Sequence, residues 1–241
     1  MPSLIPQFIK LNSKFNLIKP NDKILIAVSG GIDSLTMAKL LHEYRLSIDD
    51  SISLHAVHID ISQVSISQKQ RNNLEKLLAK WHIPFTIIRG KIPENRKSNC
   101  YTCAKERRKQ LCIYSDKNNF SSIAVGHNLN DYIETGFMNL IYHGHLESIQ
   151  AEELMFNGVI TIIRPLLTIS KKHILSYAKG SGISAEKHYC PYGLKNKRET
   201  VRALLREISS KNRSFLKNLK NAIDSWDKSS HPSGGLSSKD L

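Results

Sequence analysis

The chain has 241 residues, 40% of them hydrophobic, and a formal net charge of +14. That length allows one large domain or one domain with helical additions, and no apolar run approaches the roughly 20 residues that cross a bilayer. The positive balance points to a polyanionic partner, although a solvated basic surface gives the same composition.

The N-terminus shows no apolar leader and no small-residue cleavage site, so a cytoplasmic chain with no membrane partner is expected. Four cysteines, Cys100, Cys103, Cys112 and Cys190, are too few and too unevenly placed for a secreted disulfide framework. A C-x-x-C pair in such a chain is more often a metal or redox site.

Residues 3–18 space Leu4, Ile5, Phe8, Ile9 and Leu11 as a short helix. The apolar run 24–28 reads as a fully buried strand that stops at Ser29-Gly30-Gly31, and a helical pattern begins near Asp33. Strand, glycine turn and helix start together make an anion site. Adjacent glycines let successive N–H groups face one concavity, and the open amides of the helix start add positive charge. Ser29 and Ser34 add hydroxyls. Asp33 would repel a phosphate unless a divalent cation such as Mg2+ bridges the two, so the stretch asks for phosphate and metal together.

A second strand over 51–60 ends in His58-Ile59-Asp60, at the ligand edge of an open parallel sheet. Residues 67–81 make a helix with Leu74, Leu77 and Leu78 inward. Residues 84–89 make a third strand, 101–117 a helix and 121–126 a fourth strand. Strands alternating with helices predict an α/β fold with a doubly wound parallel sheet of about five strands and right-handed crossovers. A helix over 134–142 follows, then a hairpin over 154–164 turning at Asn157-Gly158. Helices are expected at 171–180, 199–209 and 213–226, and the aperiodic Ser/Gly-rich end over 229–241 as disordered.

The six residues SGGIDS at 29–34 resemble the pyrophosphate loop of the N-type ATP pyrophosphatases, the PP-loop or adenine nucleotide alpha-hydrolase-like superfamily. The Walker spacing G-x-x-x-x-G-K-[ST] is absent. GHNLNDYIET at 126–135 resembles the GH-x-x-DD-x-x-[EQ]T signature of its tRNA-modifying members, with Asn130 in place of the first aspartate and Asp131 retained. Arg164-Pro165-Leu166 resembles a further motif, and C-x-x-C at Cys100 and Cys103, then Arg107-Arg108, then Cys190-Pro191-Tyr192-Gly193, resembles the tRNA 2-thiocytidine and 2-thiouridine synthetases. Outside that resemblance, Asn128 and Asp131 also suit an ordinary helix start.

The resemblance implies an ATP-dependent tRNA sulfurtransferase. The C2 carbonyl oxygen of a tRNA pyrimidine, cytidine first and uridine second, is adenylated with release of pyrophosphate and then replaced by sulfur. It implies ATP binding by Ser29, Gly30, Gly31, Asp33, Ser34, His58, Asp60, Gly126, His127 and Arg164. Asp33, Asp131 and Arg107 become the catalytic residues, with Asp33 on magnesium. Cys100, Cys103 and Cys190 become the ligands of a [4Fe–4S] cluster with one iron open to sulfide. Zinc, with His188 as fourth ligand, is the alternative metal. Arg108, Arg198 and Arg202, within basic runs that follow the cysteines, become tRNA contacts; as residues, Tyr101, Tyr189 and Tyr192 suit stacking of an unpaired base and equally suit cover of the core or of the cluster.

The implied partners are tRNA and a sulfur donor, protein or sulfide, with a homodimer left open. A lysidine synthetase-like ligase and a non-enzymatic, metal-stabilised RNA-binding protein are the rival functions. The expected layout is a helical segment over 1–20, an ATP pyrophosphatase domain over 21–190, basic helices over 191–227 and a tail over 228–241.

Overall fold

The computed structural model describes residues 3–92, 99–185 and 197–230. Two compact units divide the chain: Met1–Asn128 with Ala151–Gly193, and Leu129–Gln150 with Leu194–Leu241.

The first unit is built on the sheet that the alternating apolar runs predict. Among the described residues it carries strands β1 (Lys23–Ala27), β2 (Ser53–Ile61), β3 (Phe85–Gly90), β4 (Ser122–Ala124), β5 (Glu152–Met155) and β6 (Ile160–Ile163). Their order is β3-β2-β1-β4-β6-β5. Every neighbouring pair is parallel except β5 with β6. Five strands thus run parallel, and the first arm of the hairpin adds an antiparallel sixth at one edge. The hairpin turn passes through Asn157 and Gly158 with positive φ of 57° and 87°, the conformation for which Asn-Gly is selected.

Helices α1 (Ile5–Phe15), α2 (Ile32–Ser47), α3 (Gln68–Lys80), α4 (Cys100–Lys117) and α6 (Lys171–Gly180) complete this unit. Their starts are written in the sequence. Ser67 caps α3 in a reciprocal box with Gln70, and Asn99 caps α4 in the same way with Thr102. Ile24, Leu25 and Ile26 of β1 are fully buried, as expected of a central strand covered on both faces. Helix α1 docks on α2, where Phe8 meets the Tyr44 ring edge-on at 5.1 Å.

The chain leaves β1 for β2 and β3 on one side, then returns to β4 and β6 on the other. The order therefore reverses between β1 and β4. Open α/β sheets bind ligands in the crevice at such a point, beyond the carboxyl ends of the strands.

Among the described residues the second unit packs three helices, α5 (Leu129–His143), α7 (Lys197–Lys211) and α8 (Phe215–Ser230). Helix α5 starts earlier than its apolar pattern suggests because its first turn is polar, with Asp131 favourably placed there. Gly136 lets Ile223 lie against the α5 backbone, since a Cβ at Gly136 would sit 2.5 Å from the Ile223 Cδ1. The Tyr132 hydroxyl is 2.9 Å from carboxylate oxygens of both Asp224 and Asp227. Among the described residues, no helix is long and apolar enough to cross a membrane.

Candidate active site

The turn after β1 is shaped from within. Gly30 adopts φ +83°, a conformation that favours glycine. The Ser34 hydroxyl donates to the Gly31 carbonyl at 2.9 Å and accepts from the Ser29 amide at 3.2 Å. The Ser29 hydroxyl accepts from the Gly31 amide at 3.3 Å. Ser34 is buried, so its hydroxyl fastens the turn instead of facing outward. The first amides of α2 keep no intrahelical acceptor and supply the positive end of an anion site.

The signature glycine of the fourth strand has a concrete role here. A Cβ on Gly126 would lie 3.1 Å from the Ser34 amide nitrogen and 3.2 Å from the Asp33 carbonyl carbon. Only a glycine lets the chain beyond β4 press this closely on the start of α2. The next residue, His127, takes a hydrogen bond at Nδ1 from the Arg164 Nε at 3.2 Å. Arg164 is buried, and its guanidinium also pairs with Glu153.

A cavity of about 610 Å³ opens beside the turn. Ser29, Gly30 and Gly31 line it with His58 from β2, Arg107 from α4 and the Asn73 side of α3. Its charged lining residues are Lys76, Lys80 and Arg107, all cationic. Leu77, expected inward, is half-buried and forms part of the wall. His58 is 2% exposed, and its Nδ1 lies 2.7 Å from the Val28 carbonyl oxygen. Burial holds its imidazole below the usual histidine pKa, with the Val28 bond acting the other way.

Asp60, two residues further on, turns elsewhere. Its carboxylate pairs with Arg71 and accepts from the Ile66 amide at 3.1 Å, and it is not among the cavity walls.

The residue that sequence reasoning missed is Lys171. Its ammonium lies 2.6 Å from both oxygens of Asp33. One signal was present: Lys171 and Lys172 open α6, where a helix dipole disfavours cations.

Cys100 and Cys103 open α4, with Arg107 one turn further, so spacings of three and four residues place the three on one helical face. Cys100 is exposed, while Cys103 is buried in a cluster with Leu25, Val57 and Ile61. Cys112 is buried in the same cluster, and burial raises its thiol pKa. Among the described residues, no three His, Cys, Asp or Glu side chains group for a metal ion. Cys190, His188, Tyr189 and Tyr192 lie outside the described residues.

Residues 129–135 of the signature fall in the second unit. Asp131 is half-buried on the first turn of α5. Glu134 accepts from Arg202 Nε at 2.9 Å and lies 3.7 Å from Arg198 Nε, and Thr135 accepts from Arg198 at 3.2 Å. The Glu-Thr pair therefore fastens α7 to α5. Arg198 and Arg202 spend much of their hydrogen-bonding capacity inside this unit, and their remaining surface is 37% and 38% exposed.

The family profile of the PP-loop domain matches residues 5–208. The chain belongs to the PP-loop family. A tRNA-cytidine(32) 2-sulfurtransferase of Legionella pneumophila is 30% identical to this PP-loop protein over 177 residues, 70% of this chain and 61% of the relative. A tRNA-cytidine(32) 2-sulfurtransferase of Francisella tularensis is 31% identical over 172 residues, 69% of this chain and 64% of the relative. The matches thus span less than two thirds of either relative. The U34-tRNA thiolase NcsA from Methanococcus maripaludis, solved with its [4Fe–4S] cluster, superposes with a TM-score of 0.72. It is 23% identical, and the match covers 98% of this chain and 86% of that one. That likeness shows a shared PP-loop fold.

Proposed function

We propose that this PP-loop protein is an ATP-dependent tRNA 2-thiolation enzyme acting on a pyrimidine, cytidine foremost. The observation that carries the reading is one cavity. Its walls include both the Ser29–Gly31 turn and Arg107, which stands one turn beyond the Cys100–Cys103 pair on the same helix.

The turn and the amides of α2 hold the phosphates of ATP, and Asp33, in exchange for its Lys171 partner, would hold a magnesium ion that supplies positive charge beside them. Arg107 neutralises the charge that grows on the α-phosphate as the C2 carbonyl oxygen of the base attacks and pyrophosphate leaves. Fixing base and phosphate in line supplies most of the acceleration, and the preplaced cations supply much of the rest. Sulfur then replaces the adenylated oxygen and AMP departs. The exposed Cys100 and its neighbour Cys103 suit two corners of a [4Fe–4S] cluster, with Cys190 as the third ligand. Such a cluster supplies the site that carries sulfur. Arg108, exposed beside Arg107, and the outer faces of Arg198 and Arg202 contact tRNA phosphates. The remaining partner is a sulfur donor, and the place of work is the cytoplasm.

Metal content tests the reading. Protein purified without oxygen should be brown and hold about four irons per chain. Cys190→Ala should lose the iron and Cys112→Ala should keep it. Colourless protein with stoichiometric zinc contradicts the sulfur chemistry.

A further inference from the structure

Lys171 sits at the end of its helix that disfavours a cation. It follows the N-cap Ser170 as the first residue of α6, with Lys172 next and no acid in the first turn. What holds its ammonium is Asp33, whose two oxygens each lie 2.6 Å from Nζ. Asp33 stands in the first turn of α2, where a carboxylate is favoured. The two helices pack on each other, so two helix starts share one ion pair. The lysine side chain is 38% exposed and the aspartate 29%, and a pair this open to water is weak enough to exchange partners.

The exchange suits one form of metal and not another. Magnesium is usually held by one or two carboxylates together with waters and substrate phosphates. Asp33 belongs to no group of three His, Cys, Asp or Glu side chains among the described residues. It therefore fits an ion that arrives already on a phosphate better than one taken from solution. A free ion would displace the ammonium from both oxygens and leave it at the positive end of α6. Mg·ATP brings phosphate oxygens as well, so Asp33 can take the ion while Lys171 takes a phosphate. The flexible four-carbon stem of a lysine allows that swing. Asp33 follows the Ser29–Gly31 turn by two residues, which keeps the exchange local.

We propose that Lys171 is a moving phosphate ligand: it closes Asp33 to free magnesium and, when Mg·ATP arrives, passes its ammonium to an oxygen of the triphosphate. The proposal rests on the ATP reading above. Metal and nucleotide then enter the site together.

Equilibrium binding tests this without turnover. The probe is the magnesium complex of an ATP analogue with a methylene bridge between its α and β phosphates, which cannot be cleaved there. Lys171→Met should bind it about tenfold more weakly than wild type, the expected loss of one charge-assisted hydrogen bond. Lys171→Arg keeps the cation and should recover most of that affinity. Lys179→Met removes the same charge from the last turn of α6 and should change nothing. A lysine that only stood in for the metal would be idle once magnesium is present, so equal or tighter binding by Lys171→Met overturns the proposal. The ammonium itself is followed by nitrogen-15 NMR of the lysine side chains, its signal assigned as the one missing from Lys171→Arg. It should stay in place on adding magnesium alone and shift on adding the magnesium–analogue complex. A shift with magnesium alone overturns the proposal. Failure of wild-type protein to bind the analogue at all would instead remove the nucleotide reading on which it rests.

Discussion

Replacing Gly126 by alanine isolates the contact that sets the candidate site, because Gly126 does not have a positive φ and the new methyl group strains no dihedral. The added Cβ would lie 3.1 Å from the Ser34 nitrogen and 3.2 Å from both the Asp33 carbonyl carbon and the Ser34 Cα. All three are backbone atoms of the first turn of α2 and cannot rotate away as a side chain could. Ordinary contact begins near 3.4 Å, so α2 or the end of β4 must shift by a few tenths of an ångström. Overpacking of this kind costs about 1–2 kcal/mol, roughly 2–8 °C in melting temperature for a chain of this size. The same shift carries the α2 amides away from a bound phosphate, which should weaken ATP by about 1 kcal/mol, roughly fivefold in Kd. Thermal unfolding and calorimetric titration with Mg·ATP measure the two effects. Gly31→Ala is the stability control, since its Cβ would meet the Ser29 hydroxyl at 3.4 Å and should leave the melting temperature unchanged. Wild-type melting and wild-type ATP affinity in Gly126→Ala would refute the idea that β4 positions the phosphate turn.

Lys171→Met removes the ammonium 2.6 Å from both Asp33 oxygens; the half-exposed pair contributes at most about 1 kcal/mol to stability, so folding should survive. Metal-free ATP, now meeting an unneutralised Asp33, should bind about tenfold more weakly in EDTA, and equal affinity in wild type and variant would contradict the assignment. Arg202→Ala strips Glu134 of its closest cation and should lower the melting temperature by several degrees, roughly 1–3 kcal/mol; Glu134→Gln with Arg202→Ala should recover part of that loss, and a double variant no better than the single one counts against the pairing. Burial raises the Asp227 carboxyl pKa, and the lone Tyr132 hydroxyl proton cannot serve both Asp224 and Asp227. A raised acid favours folding while protonated, so its contribution is present in acid and is lost as pH rises through the folded-state value. Asp227→Asn should therefore flatten the fall in stability as pH rises above the ordinary carboxyl value of about 4, and an unchanged slope in thermal melts would exclude Asp227 as its source.

The sheet was legible because its strands are short apolar runs and its turns carry Ser-Gly-Gly and Asn-Gly, which bend the chain by simple steric rules. The sixth strand was harder to see. The alternating exposure of β5 suits an edge, and pairing to β6 could be read only from the hairpin turn. Within the site, Ser29, Gly30, Gly31, His58 and Arg107 come together as their positions at strand ends and helix starts suggest. Sequence could not show that Asp60 would be claimed by Arg71, or that Lys171, 138 residues after Asp33, would reach it. Each depends on side-chain direction in the packed unit, which spacing does not encode. The basic helices are instructive in the opposite direction. Their positive charge suggested nucleic acid, yet Arg198 and Arg202 first answer Glu134, an acid that the signature itself provides.

The most direct test of sulfur transfer is a nucleoside digest. Protein reconstituted without oxygen with iron and sulfide is incubated with unmodified tRNA, Mg·ATP and a sulfide source, and the digested tRNA is analysed by mass spectrometry alongside AMP and pyrophosphate. The account predicts 2-thiocytidine, formed in equal amount to AMP and pyrophosphate and lost in Asp33→Ala and Cys190→Ala. AMP formed with lysine joined to cytidine, or tRNA bound with neither AMP nor thionucleoside produced, would contradict it.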